Sequence, residues 1–307
     1  MAMAYMGLNR FEEAKTILQE ALAQRPDFPD YHVILHQIAF AQKDHTVMQQ
    51  QIDWYAGKPN EYDSFKMQSE SAAYSGQVSK ARALNQRAIE LATQDDLKEV
   101  AAGSLLTQAI TDAIFGNCRQ IKPSTTKALA IARTNDSLRN SALGLALCDE
   151  TALAQTIVDE QAKLYPTDTL FNTMTLPTIR AAIEMRRNNY APAIQFLQSA
   201  NRYEGRSQLF VRYIRGQAYL AQRSGNEAAA DFQYIVDRRG FWAGGESLGT
   251  FSPINSLSLL GLARAAVLQG NSAKARKTYQ DFFAVWKDAD LEIPILIEAK
   301  KEYERLK

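Results

Sequence analysis

Cysteine is nearly missing from the chain, which has only Cys118 and Cys148. Neither has a Cys-x-x-Cys partner or a nearby histidine, so nothing suggests a zinc or dithiol centre, and two buried or half-buried thiols are expected. A surplus of one charge sign is missing too. The 35 Lys and Arg against 34 Asp and Glu leave a net charge of +1, without the basic excess that phosphate neutralisation needs, so direct nucleic-acid binding is not expected. No window approaches the roughly 18 apolar residues of a membrane helix. The start, MAMAYMGLNRFEEAK, lacks the basic segment and apolar run of a secretory signal. The expected compartment is the cytoplasm, or an extracytoplasmic one if the chain follows a membrane span. Sustained apolar and polar alternation between turns is also absent, so no strands are assigned.

Signatures of catalysis are equally thin. His32 and His36 lie four apart, with only Asp30 and His45 near enough to complete a metal set; two half-exposed histidines on one helix face are the simpler reading. The run Gly244 to Gly249 lacks the preceding strand and the Lys and Ser/Thr of a phosphate loop. No nucleophile elbow is visible. The expectation is a protein without enzymatic activity, cofactor or metal.

What the chain does have is internal repetition. Tyr5, Ala14, Leu18, Ala21 and Pro26 recur in spacing as Gly216, Tyr219, Ala228 and Phe232, and again around Ala275, Tyr279, Phe282, Phe283 and Trp286. Weaker copies carry Ala72, Gly76, Ala81 and Ala88; Ala142, Ala154, Val158 and Pro166; and Ala181, Tyr190, Ala193, Leu197 and Ala200. In two copies a large residue, Met48 or Ile121, replaces the small one of the second helix, and Pro123 sets the start of that second helix near itself. Small residues at fixed spacing let two helices approach to about 8–10 Å.

This pattern resembles the tetratricopeptide repeat. It implies an all-α chain, an α-solenoid of about eight helix pairs over residues 1–307 with a C-terminal capping helix at 293–307. The first pair would be truncated, because Met1 falls at the seventh place of its repeat, and the chain is expected to be a piece of a longer protein. A long connection, GFWAGGESLGTFSP, runs from Gly240 to Pro253. The run from Leu260 to Lys307, together with AAYSGQVSKAR, AIFGN and RGQAYLAQRSGNEAAADFQYIVDRRG, resembles the C-terminal tetratricopeptide region of bacterial receptor-like serine/threonine kinases and winged-helix regulators. That resemblance implies a sensory or interaction module, with an effector domain lying N-terminal to it. The kinase loops themselves are missing from this chain.

Function therefore rests on a surface. Tetratricopeptide arrays line their concave groove with first helices, which implies Lys66, Glu70, Tyr74, Arg139, Arg186, Tyr213, Gln217 and Arg264 as partner-binding residues, with Trp242 of the long connection added. The lysine and asparagine pattern of a carboxylate clamp is not among them. From Thr178 to Gly240 there are ten arginines, no lysine and five acids. Arginine beside tyrosine suits a binding surface, while pairing with acids of neighbouring repeats is the equal alternative. The expected function is a scaffold holding a protein or peptide partner in the groove, near the sixth and seventh pairs. The alternative is a small-ligand-sensing domain of a longer kinase or transcription regulator.

Overall fold

The computed structural model describes residues 1–25, 28–198, 200, 208–238, 240 and 253–306. All regular structure among them is helical. The helices pack as successive pairs: α1 (Ala2–Gly7) with α2 (Phe11–Gln24), α3 (Pro29–Gln42) with α4 (His45–Tyr55), α5 (Glu61–Tyr74) with α6 (Val78–Gln94), and α7 (Lys98–Ile114) with α8 (Ile121–Ile131). Next come α9 (Asn135–Leu147) with α10 (Thr151–Leu164), α11 (Leu176–Arg186) with α12 (Tyr190–Gln198), α13 (Gln208–Ala221) with α14 (Gly225–Asp237), and α15 (Pro253–Leu268) with α16 (Ser272–Val285). The last helix, α17 (Pro294–Glu304), follows the eighth pair. The chain is an all-α, tetratricopeptide-like solenoid.

One backbone device makes each pair. The turn between its two helices contains a left-handed residue: Asn9, Lys43, Gly76, Gly116, Asp149, Asn188, Arg223 and Gly270 in order. In each case the next residue donates its N–H to the carbonyl five places back. Arg10 bonds Tyr5, Asp44 bonds Ala39, Gln77 bonds Ala72 and Asn117 bonds Asp112; Glu150, Asn189, Ser224 and Asn271 do the same with Leu145, Glu184, Tyr219 and Ala266, all at 2.8–3.1 Å. This is the Schellman closure, which satisfies a helix's last carbonyls while reversing the chain.

The left-handed residue also sets the register. Seven places before it stand Ala2, His36, Ser69, Ala109, Ala142, Ala181, Gly216 and Ala263; five places after it stand Ala14, Met48, Ala81, Ile121, Ala154, Ala193, Ala228 and Ala275. These are the crossing positions of the two helices, as the Ser69 hydroxyl bonded to the Ala81 carbonyl at 2.8 Å shows. The large residues expected to disturb two pairs are accommodated individually. Ile121 fits because Gly144 of the next pair leaves room, where an added Cβ would come within 2.5 Å of the isoleucine. Helix α8 begins at Ile121, before the expected start at Pro123, since the proline falls in the first turn, where no N–H is needed. At Pro177 the missing donor and its clash with the carbonyl four residues back go with a π-helical turn at Phe171–Thr175.

The array closes on itself. Helix α15 packs not only on α13, α14 and α16 but also on α5 and α7 from much earlier pairs. Its sequence, PINSLSLLGLARAAVL, is buried along most of its length. A helix apolar around most of its circumference belongs inside a core, and here that core draws on residues from Val78 to Ala299. After α16 the chain clasps the third and fourth pairs. The Trp286 indole N–H donates to the Tyr74 carbonyl at 3.0 Å, the Asp290 N–H donates to the Gly76 carbonyl at 3.0 Å, and the Ser79 N–H donates to the Asp290 carboxylate at 2.7 Å. Phe115 meets the Trp286 ring edge-on with centroids 5.4 Å apart. The first pair reaches the seventh, where the Asn9 side chain donates to the Asp237 carbonyl and accepts from the Gly240 N–H at 3.0 Å.

The expectation of two thiols is corrected. Cys118 and Cys148 form a disulfide with their Cα atoms 5.5 Å apart. The intra-pair turns of the fourth and fifth pairs lie side by side, a proximity that a separation of 30 residues conceals.

Candidate functional site: the inner wall of the helix pairs

First helices pack against first helices along the array, α3 on α5, α7 on α9, α9 on α11 and α11 on α13. They form the inner layer. Ten and six residues before each left-handed turn residue, their side chains sit at the equivalent inward places: Val33 and Gln37, Lys66 and Glu70, Leu106 and Ile110, Arg139 and Leu143, Thr178 and Ala182, Tyr213 and Gln217, Leu260 and Arg264.

Those places do not form one continuous open groove. Leu106, Ile110, Thr178, Ala182 and Leu260 are buried, and several of them belong to the central core. The wall of the third pair is different. Lys66 and Glu70 are only partly buried. Lys66 pairs with Asp63 at 3.1 Å, and its ammonium lies 5.8 Å from the Tyr62 ring centroid. Loss of water is the largest influence on both side chains, although both reach solvent. For Lys66 the charge and hydrogen bond of Asp63, with Glu70 behind them, outweigh burial and raise its pKa. For Glu70 burial dominates and Asp63 adds to it against the opposing pull of Lys66, so its pKa is pushed up to about 7.

The other expected residues fall into three groups. Tyr213, Gln217 and Arg264 come together: burial pushes the Tyr213 phenol up to about 12, opposed by a hydrogen bond from Gln217 and by the charge of Arg264. Arg264 is anchored to α17 through Glu302 at 3.0 Å and Glu298 at 3.3 Å. Tyr74 and Arg139 have structural contacts. Tyr74 meets Phe40 edge-on at 5.2 Å, and Arg139 pairs with Asp168 at 2.8 Å while lying 4.6 Å from the Phe171 ring centroid. Arg186 binds the Asp149 carboxylate, with Nε to Oδ1 at 2.6 Å, because the left-handed turn residue of the preceding pair projects beside it. Trp242 lies outside the described residues, as do Arg202, Tyr203, Arg206 and Arg239.

Much of the arginine-rich stretch is tied into its own repeats. Asp231, buried on α14, takes Arg212 at 3.0 Å and Arg215 at 2.6 Å. Arg212 and Arg238 each lie 3.6 Å from the Tyr234 ring centroid. Of the histidines, His32 bonds Gln51 at 2.8 Å and stacks on Trp54 at 3.7 Å, whereas the fully buried His36 has no hydrogen-bond partner on either ring nitrogen.

Sequence reading missed the association of Tyr62 and Asp63 with Lys66 and Glu70. The available signal was their helical spacing, Asp63 three before Lys66 and Glu70 four after it.

Comparison with known families agrees with the repeat geometry. A family model described as Tetratricopeptide repeat matches residues 1–47 and 213–289. The two matched stretches cover the first pair and the start of the second, and the seventh and eighth pairs. A search of curated proteins finds no match. Tetratricopeptide repeats generally serve as non-catalytic interaction scaffolds, and no described helix is long and apolar enough to cross a membrane.

Proposed function

We propose that the protein is a non-catalytic scaffold that holds a segment of another protein against the inner wall of α5. The observation that carries this reading is the contrast along the inner layer. Lys66 and Glu70 stay polar and reach water where the equivalent residues of the fourth and sixth pairs, and Leu260 of the eighth, are buried. A polar wall enclosed by protein gives a partner segment both desolvation and directional contacts. Tyr213, Gln217 and Arg264 are retained only as a second polar grouping, and Arg186 is dropped. The test is a photo-crosslinking amino acid placed at Lys66 and, as an outer control, at the exposed Lys127 of α8. Crosslinks to one discrete species from position 66 alone support the reading. Crosslinks from position 127 alone, or from neither, overturn it.

The cysteines support a reading of the compartment. A disulfide between two intra-pair turns favours an oxidising, extracytoplasmic setting over the cytoplasm expected at first. Such a setting suits a sensory module carried behind a membrane span by a kinase or winged-helix regulator, the arrangement that the sequence resemblance implies. Alkylation of intact cells before lysis checks it: the native protein should show no alkylated cysteine by mass spectrometry, and two alkylated cysteines would restore the cytoplasmic assignment.

A further inference from the structure

We infer that the partner segment held at α5 presents a lysine or arginine side chain, which pairs with Glu70. The inference rests on the scaffold reading above and adds the chemistry of the partner. Glu70 is a partly buried carboxylate with no hydrogen bond or ion pair to any described residue. Among the described residues the cation acting on it is Lys66, which is held by Asp63 at 3.1 Å, one turn back along the helix. Asp63 also acts on Glu70 itself, and the Tyr62 phenol two turns earlier feels Asp63, Asp30 and Asp95 against the positive charge of Lys66.

Three kinds of partner would meet this wall differently. An acidic side chain would add a like charge to Asp63 and Glu70 in a place where water screens weakly. An apolar side chain would strip the remaining water from Glu70 and leave its carboxyl unsatisfied. A cation would supply the missing partner. The arrangement is opposite in sign to a clamp for a partner's carboxylate.

Proton linkage gives the inference a signature. The charged groups acting on Glu70 are Lys66 and Asp63, and burial leaves the carboxyl near neutrality with a pKa of about 7. Docking of a cation favours the ionised form, so the carboxyl releases its proton to solvent as the complex forms. For a single group titrating near pH 7, affinity should rise about tenfold between pH 6 and pH 8.

The experiment uses the full chain, immobilised and panned against a displayed library of random dodecapeptides. Enrichment of peptides rich in lysine or arginine is expected, and it should disappear with Glu70→Gln while surviving Glu90→Gln on the outer helix α6. A synthetic peptide from the selection should bind about tenfold more tightly at pH 8 than at pH 6, and Glu70→Gln should flatten that dependence. Enrichment of acidic or apolar peptides, or of basic peptides indifferent to Glu70→Gln, overturns the cation inference and leaves the scaffold reading standing. No enriched peptide at all, together with no crosslink from position 66, overturns both.

Discussion

His36 stands in a place that holds Ala, Gly or Ser in the seven other pairs, and both of its ring nitrogens are buried without partners. Burial lowers its pKa to about 4, below an ordinary 6.5, so the folded protein refuses a proton that the unfolded chain accepts. Its contribution to stability is therefore lost as pH falls from about 6.5 towards 4, by up to about 1.4 kcal/mol per pH unit. Glu70 acts in the opposite direction. Between about 4.5 and 7 the folded state keeps a proton that the unfolded chain has released, so stability falls as pH rises through that window. The two slopes overlap and partly cancel. In urea unfolding at pH 5, 5.5 and 6, Glu70→Gln should make stability rise more steeply with pH than in the wild type, and His36→Ala should make it fall. Parallel curves for all three proteins would show that neither group titrates as its surroundings imply. The helix-pair register was legible from the spacing of small residues. The loss of Arg186 to Asp149 was not, because the acid belongs to another pair and sits in its turn.

At the scale of elements, the turns carry as much information as the helices. The spacing of small residues revealed most pairs in the sequence, but the left-handed residue that fixes each pair is Asn, Lys, Asp or Arg in five pairs and Gly in three, so no glycine pattern betrays it. Gly76 is the turn under greatest demand. It has φ of 72°, and a Cβ there would lie 2.7 Å from the Ala289 Cβ and 2.8 Å from the Trp286 ring. Gly57 has a similar φ of 70° with open space around it. Gly76→Ala should cost about 2–4 kcal/mol by adding overpacking to backbone strain, and Gly57→Ala only about 1–2 kcal/mol. Chemical denaturation of the two variants checks this, and equal losses would mean that the clasp contributes nothing at Gly76. The disulfide is the second element-scale constraint. Closing a span of 30 residues restricts the unfolded chain, so replacing both cysteines by alanine should lower stability by about 3–4 kcal/mol. A reductant should then no longer affect the variant; an unchanged midpoint without the bridge would remove its structural role.

For the whole molecule, the informative contacts are those a linear repeat array would not make. Repeat periodicity in a sequence reports packing between neighbours, which is why the solenoid could be read and its closure could not. One signal was present: α15 is apolar around most of its circumference, too much for a helix with an open groove on one side. The consequence is a prediction about cooperativity. The second half of the third pair through α17 contribute to one continuous core, whereas Ala2, Met6, Ala14, Leu18, Leu35 and Ile38 form a separate cluster in the first two pairs. Native-state hydrogen exchange should show α7 and the helices α9 to α16 opening largely together near the global free energy, with α1 to α3 opening at lower cost. Trp286→Ala tests the closure itself. Removing a buried tryptophan should cost about 3–5 kcal/mol, and it deletes the indole bond to the Tyr74 carbonyl together with the ring contact to Phe115. Protection should then fall at the Asp290 amide and along α15, while α10 and α12 keep theirs relative to the new global stability. Exchange that instead frays pair by pair from both ends in the wild type would show that the array behaves as a linear one and that the clasp adds no cooperativity.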